Sequence, residues 1–159
     1  ILYSEYKNLM YYTANRILHN SSDAEDVVHQ AFLKVIEILD TISSPRCHKT
    51  RALLVTITEH KAIDLYREKQ RRNVLPLAEE YIGAAPAAEI ERLAERDTLA
   101  AAIASLPPRY RSVLLLRYDC GYSNAEIANI LDTTEPNVRK LIQRAKEKLS
   151  AALSGMEEP

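Results

Sequence analysis

The sequence predicts an all-α protein made of two small helical domains joined by a flexible linker. Apolar residues recur at helical spacing along most of the chain, which has three glycines and no tryptophan. Two prolines and a glycine interrupt this pattern near the middle. A length of 159 residues allows one or two small domains with modest cores. We expect the first domain over residues 1–72, the linker over 73–87 and the second domain over 88–159.

The first domain begins with two predicted helices. Apolar residues follow the helical period over residues 2–18, and a polar break follows. Ser22 and Glu25 predict a capping box, in which a serine hydroxyl accepts from a backbone N–H at the start of the second helix. An apolar stripe extends that helix to about Asp40. The stripe consists of Val27, Val28, Ala31, Phe32, Val35 and Leu39.

A third helix is predicted from about Thr50 to Arg72, after a polar, proline-containing loop over residues 41–49. Residues 55–58 are β-branched and locally strand-like, but the helical period continues through them. The helix ends in a cluster of Arg and Lys around Tyr66. Such a mixture is typical of a surface that holds single-stranded nucleic acid, and equally of a solvated helix end.

The strongest functional signal lies in residues 106–149. Two prolines open a helix there, and Gly121 ends it in a position where glycine tolerates positive φ. Ser123 and Glu126 predict a capping box for a second, short helix, and Thr134 caps a third after a tight turn. The pattern is that of a helix-turn-helix.

The last of these helices is amphipathic, with a basic outer face. Its apolar side is expected to pack on the preceding helices. That side carries Val138, Leu141, Ile142, Ala145 and Leu149. The opposite side carries Pro136, Arg139, Lys140, Gln143, Arg144 and Glu147. Such side chains neutralise phosphates or read base edges, so the face suits the DNA major groove. The alternative is a solvated helical hairpin.

The remaining composition excludes several classes of protein. The net charge is −1, but residues 73–106 carry two basic and six acidic side chains, which conceal two mildly basic ends. Cys47 and Cys120 are far apart and form no CxxC motif, so we expect no disulfide framework, no metal site and a reduced, cytoplasmic setting. We find no signal peptide and no long apolar run. The sequence starts at Ile1, inside a predicted helix, and we expect a short leader before it.

In their order and spacing, three motifs resemble one family, the bacterial extracytoplasmic-function sigma factors, the smallest class of the sigma-70 family. DAEDVVHQAFLKV at residues 23–35 is similar to the family's DAEDLVQEVFLRL, in the helix that docks on RNA polymerase. KTRALLVTITEHKAIDLYREKQRR at 49–72 resembles its promoter-melting helix. Residues 106–149 resemble its fourth region almost position by position. Only the linker is unmatched.

The resemblance implies a promoter-specificity subunit that is not an enzyme and has no cofactor. It would bind the clamp coiled coil and the flap of core RNA polymerase, recognise the minus-35 and minus-10 elements of promoter DNA, and initiate transcription of a stress or envelope-type regulon. An anti-sigma factor commonly holds such proteins inactive. The implied polymerase-binding residues are Asp23, Glu25, Asp26, Val28 and Gln30. The implied minus-10 contacts are Ser43, Ser44, Arg46, His48, Lys49, His60, Lys61, Asp64 and Arg67. The implied minus-35 contacts are Pro136, Asn137, Arg139, Lys140, Gln143 and Arg144.

The sequence also departs from the family's pattern. The family usually has Trp at the position of Leu53 and Asn at that of His60, so the specificity of base capture is expected to differ. Asp132 replaces a frequent turn glycine, which predicts a turn of a different type.

Two other classes are kept as alternatives. A helix-turn-helix regulator that does not engage polymerase would bind duplex DNA by itself and would not stimulate the core enzyme. An enzyme would need Cys47, His48, His60 and Asp64 as a metal site, and their spacing matches no standard zinc pattern.

Overall fold

The computed structural model describes residues 2–42, 48–73 and 97–157, and all regular structure in these ranges is helical. The chain divides into two compact units, Ile1–Glu79 and Glu80–Pro159. The predicted all-α class is therefore confirmed. Apart from Asn73, the predicted linker lies outside the described residues.

Three long helices form the first unit, and each of them packs on the other two. They are α1 over Leu2–Leu18, α2 over Ser21–Glu37 and α3 over His48–Asn73. A 3₁₀ turn over Leu39–Thr41 follows α2, which ends a little earlier than predicted. Four of the six side chains predicted for the α2 stripe, Val27, Val28, Ala31 and Val35, are buried in one core with those of α1 and α3, whereas Phe32 is half-buried and Leu39 is exposed. The buried members of this core include Met10, Ala14, Val27, Ala31, Val35, Leu53, Leu54 and Ile57.

The start of α2 corrects the predicted capping box. The capping residue is Asn20 and not Ser22, since the Asn20 side-chain oxygen accepts from the Asp23 N–H at 3.1 Å. His19 just before it has a φ of 51°, in the left-handed region, so the chain turns sharply between α1 and α2. Asn and Ser are equally good caps, and the helical period places a helix start only to within one or two residues.

The middle of α3 is buried on nearly every side, which explains its strand-like run. Thr56, Ile57 and Thr58 are all buried, as is Glu59 after them. The Thr58 hydroxyl donates to the Leu54 carbonyl oxygen at 2.8 Å, so the helix itself satisfies this polar group. Packing by α1 and α2 on both sides thus holds a β-branched run in a helix.

Four helices form the described part of the second unit. They are α4 over Thr98–Ala104, α5 over Pro108–Leu114, α6 over Asn124–Ile130 and α7 over Glu135–Glu157. A π-helical segment over Leu115–Asp119 continues α5, and Gly121 then takes a φ of 79°, as predicted. The predicted capping box of α6 is confirmed. The Ser123 hydroxyl accepts from the Glu126 N–H at 3.1 Å, and the Glu126 carboxylate accepts from the Ser123 N–H at 3.0 Å.

The core of the first unit can be tested with one buried and one exposed leucine. Leu54 is fully buried, and we expect Leu54→Ala to lower the free energy of unfolding by about 2–5 kcal/mol, because it leaves a cavity between three helices. Leu33 is 64% exposed, so Leu33→Ala is the matched control and should change stability by less than about 0.5 kcal/mol. Urea unfolding measures both. Equal losses would contradict this packing.

Candidate nucleic-acid and polymerase-binding surfaces

The turn between α6 and α7 positions the basic helix. Asp132 has a φ of 54°, which is the left-handed conformation that glycine adopts readily. The Thr133 N–H donates to the Ala128 carbonyl oxygen at 2.9 Å, and this bond closes the end of α6. Asp132 stands where the family often has a glycine, and it adopts a backbone conformation that glycine also adopts readily.

The first turn of α7 is fixed by two threonines. The Thr134 hydroxyl accepts from the Asn137 N–H at 3.3 Å, as expected of a cap. The Asn137 side-chain nitrogen donates to the Thr133 hydroxyl at 3.1 Å. This bond uses one of the two N–H groups of the Asn137 amide, and the other N–H and the oxygen are left for further contacts.

The rotation of α7 about its axis agrees with the prediction. Val138, Ile142 and Ala145 are buried against the other helices of the unit. The predicted outer residues are all exposed, including Pro136 and Asn137. Five of them line a shallow groove of about 370 Å³. They are Arg139, Lys140, Gln143, Arg144 and Glu147.

The cations on α7 differ in how firmly they are held. Arg139 lies 3.9 Å from the Glu135 carboxylate, a loose, exposed pair. Lys146 and Lys148 lie over the Tyr118 and Tyr110 rings, each 5.3 Å from the ring centre. In the described part of the unit, Lys140, Gln143 and Arg144 make no ion pair or side-chain hydrogen bond. These three side chains are therefore available to a ligand.

The predicted minus-10 residues fall into three groups. Ser43, Ser44 and Arg46 lie outside the described residues. His48 and Lys49 belong to the first turn of α3, so the predicted loop is wrong at these two positions.

The other four share one side of α3 about 18 Å further along the helix axis, within two turns of each other. They are His60, Lys61, Asp64 and Arg67. Asp64 is exposed and the other three are half-buried. They form one compact surface, but the described residues do not join it to the start of the helix.

One ion pair connects the predicted polymerase-binding and DNA-binding elements. The Lys69 amine near the end of α3 contacts the Asp23 carboxylate at the start of α2. Nearby, the Arg72 guanidinium lies 2.7 Å from the Glu68 carboxylate. Asp23 and two cations of the α3 tail are thus paired within the unit, whereas Arg71 remains exposed.

The outer face of α2 differs from the prediction at both ends. Glu25, Asp26 and Gln30 are exposed, but Val28 is only 5% exposed and lies in the core, where it cannot contact a partner. Two apolar residues that were not predicted as contacts are exposed on the same face: Leu33 and Ile36, at 64% and 63%. We call this face, with Glu25, Asp26, Gln30, Leu33 and Ile36, the α2 outer face. The two apolar residues fall off the buried helical stripe, a signal that was already present in the sequence.

Other kinds of site find no counterpart in the described ranges. No three His, Cys, Asp or Glu side chains there are placed to hold a metal ion, and Cys47 lies outside them. No helix of residues 2–42, 48–73 or 97–157 is long and apolar enough to cross a membrane.

Each of the two units contains a match to a known family model. Residues 2–72 match the family model described as Sigma-70 region 2, and residues 96–149 match the one described as Sigma-70, region 4. The two matches occur in the order that the motifs predicted. The chain belongs to the sigma-70 family.

Individual relatives agree on the class. The chain is 28% identical to the ECF RNA polymerase sigma factor SigW of Bacillus subtilis, over 93% of this chain and 84% of that protein. It is 27% identical to the ECF RNA polymerase sigma factor SigL of Mycobacterium tuberculosis, over 96% and 86%. A solved complex of the sigma factor RpoE with the anti-sigma factor NepR from Bartonella quintana matches with a TM-score of 0.43 at 18% identity, covering 92% of this chain and 91% of that one. Within its family, the protein is an extracytoplasmic-function sigma factor, a promoter-specificity subunit of RNA polymerase.

Two pairs of variants test the turn that positions α7. Asp132→Ala and Asp132→Gly both remove the side chain, so their difference isolates the backbone. We expect the alanine variant to be less stable than the glycine variant by about 1 kcal/mol, because alanine resists positive φ. At Asn129, inside α6, the order should reverse by about 1 kcal/mol, because glycine weakens a helix interior. Thermal unfolding measures all four variants, and the same order at both positions would contradict the left-handed turn.

Proposed function

We propose that the two units divide promoter recognition between them. The first, over residues 1–72, docks on core RNA polymerase and engages the minus-10 element, and the second, over 88–159, reads the minus-35 element. Residues 73–87 act as the linker. The observation that carries this proposal is the exposed basic surface on α7, the second helix of the helix-turn-helix. Its three unpaired side chains, Lys140, Gln143 and Arg144, suit contacts in the major groove of DNA.

The chemistry of the α7 groove favours duplex DNA. Lys140 and Arg144 can pair with phosphates or with the O6 and N7 atoms of guanine, and Gln143 can form two hydrogen bonds with adenine. Arg139 can also contact DNA if it leaves its loose ion pair with Glu135. Pro136 and Asn137 lie at the end of the helix that would enter the groove first. We assign minus-35 recognition to these six residues.

We assign minus-10 recognition to the surface at residues 60–67, together with the segment that ends at His48 and Lys49. Extruding a base from the duplex costs a few kcal/mol, which cations and hydrogen-bonding groups near the flipped base must offset. Lys61 and Arg67 supply the cations, and His60 and Asp64 supply hydrogen-bonding groups. Ser43, Ser44 and Arg46 complete the proposed contacts from the preceding segment.

We assign polymerase docking to the α2 outer face. Its first half is acidic and polar, and its second half exposes two large apolar side chains. A centre of buried apolar residues with a charged rim is the usual composition of a protein interface. Asp23 lies beside this face and holds Lys69, so its role is to fix α2 against α3 rather than to meet the partner directly.

The remaining parts of the proposal follow from the separate roles of the polymerase, which catalyses transcription, and of this chain, which recognises the promoter. The polymerase supplies the catalytic chemistry, so we assign no catalytic residue and no cofactor to this chain. It would act in the cytoplasm, where the core enzyme and promoter DNA are found. The polymerase flap is the expected contact of the second unit, and an anti-sigma factor the expected regulator, both on the pattern common in the family.

Run-off transcription with core polymerase on a promoter library tests the function as a whole. The expected result is specific initiation from promoters that share two separated elements. Specific duplex binding by the chain alone, with no stimulation of core polymerase, would instead support a helix-turn-helix regulator that does not use polymerase.

The minus-35 assignment predicts the effect of two substitutions. Lys140→Ala and Gln143→Ala should each weaken or shift upstream recognition by about 1–3 kcal/mol, because each removes a contact to the DNA groove. Ser150→Ala, on an exposed part of α7 outside the groove, is the control and should change nothing. Competition between promoter variants for the holoenzyme measures the effect. Unchanged affinity and sequence preference in both variants would refute the assignment.

The docking assignment predicts that Leu33→Ala and Ile36→Ala weaken the affinity for core polymerase by about 1 kcal/mol or more each, because each loses apolar area buried at the interface. Tyr12→Ala is the control, since Tyr12 is also 64% exposed but lies on α1. Titration of labelled core enzyme gives the three affinities. An equal loss in the control variant would place the interface elsewhere.

A further inference from the structure

The groove of α7 contains one carboxylate that the proposed DNA contacts leave unused. Glu147 is exposed and lines the groove together with Lys140, Gln143 and Arg144. It lies one turn beyond Gln143 on the same side of the helix. Within the described residues it forms no ion pair. A free negative charge on a surface that binds a polyanion opposes that binding.

The stability of the helix does not explain this carboxylate. Glu135 lies in the first turn of α7, where the helix dipole favours a negative charge, and it is near Arg139. Glu147 has neither advantage, since it lies in the fourth turn and no cation of the described residues is within ion-pair distance. Gln, Lys and Arg have nearly the same helix propensity as Glu, so a basic or neutral side chain would support the helix equally well.

The position of Glu147 indicates what it meets when DNA is bound. It lies about 10.5 Å along the helix axis from Lys140, at a rise of 1.5 Å per residue. The major groove is about 12 Å wide, so a helix whose first turns contact bases brings its later turns towards the phosphates at the groove edge. The Glu147 carboxylate then lies near phosphates and repels them.

We propose that Glu147 limits the affinity for DNA of the helix that reads the minus-35 element. Its charge weakens the phosphate attraction that is common to every DNA sequence, and leaves the base contacts of Lys140, Gln143 and Arg144 in place. Non-specific binding consists almost wholly of that phosphate attraction. Because the same phosphate attraction also contributes to promoter binding, the carboxylate lowers the affinity for unrelated DNA and for a promoter by a similar factor. This inference rests on the proposed function of α7.

The test compares Glu147→Gln with the unmodified full chain in two assays. For the free chain on duplex of unrelated sequence, we expect about 3- to 10-fold tighter binding at low salt, and a steeper dependence of log affinity on log salt by up to about 1. For the holoenzyme on a promoter library, affinity should rise by a similar factor on every promoter, with unchanged base preference. Asn8→Lys is the matched control, because it makes the same change in net charge at an exposed position of α1, in the first unit.

Three results would overturn the inference. Equal tightening by Asn8→Lys would mean that only net charge matters. A changed base preference at one promoter position, with unchanged non-specific affinity, would mean that Glu147 reads a base. Unchanged binding in both assays would leave the carboxylate without a role in DNA binding. If the unmodified holoenzyme selects no promoter, the proposed function fails, and the comparison on unrelated duplex still decides whether Glu147 repels phosphate.

Discussion

The burial of one side of α7 determines the proposed DNA-binding surface of the second unit. Val138, Ile142 and Ala145 are packed against α4, α5 and α6, and at most 8% of each is exposed. Because successive residues of a helix are separated by a fixed rotation, three anchored side chains fix the direction of all the others. Lys140 and Gln143 face outward for that reason, whatever their own contacts. The specificity of the surface thus depends on apolar packing behind it.

The first unit uses the same principle under a tighter constraint. Residues 53–59 of α3 are largely buried, so the proposed DNA contacts of this helix lie before and after that section. His48 and Lys49 begin the helix, and the surface at residues 60–67 follows the buried section. A rigid, buried helix therefore separates two candidate DNA contacts by a fixed distance, and the satisfied hydroxyl of Thr58 allows that section to stay helical and buried.

Properties that depend on one helix at a time were predictable from the sequence. The helical period predicted the inner and outer sides of α7. The residue types at the helix ends predicted the cap at Ser123 and the positive φ of Gly121. Properties that depend on neighbouring helices were not. Asp23 holds Lys69 because of how α2 lies on α3, which no local pattern encodes.

Charge pairing shows why composition is a poor guide to where this protein binds DNA. The end of α3 looks strongly basic in the sequence, but Lys69 and Arg72 are neutralised by acids within the unit. The groove of α7 has fewer cations, yet Lys140 and Arg144 are both exposed and unpaired within the described residues. Since a bound phosphate must compete with any existing partner, a free cation contributes more to binding than a paired one. The geometry of pairing, and not the net charge of −1, is therefore the reason for proposing one face of α7 as the DNA-binding surface.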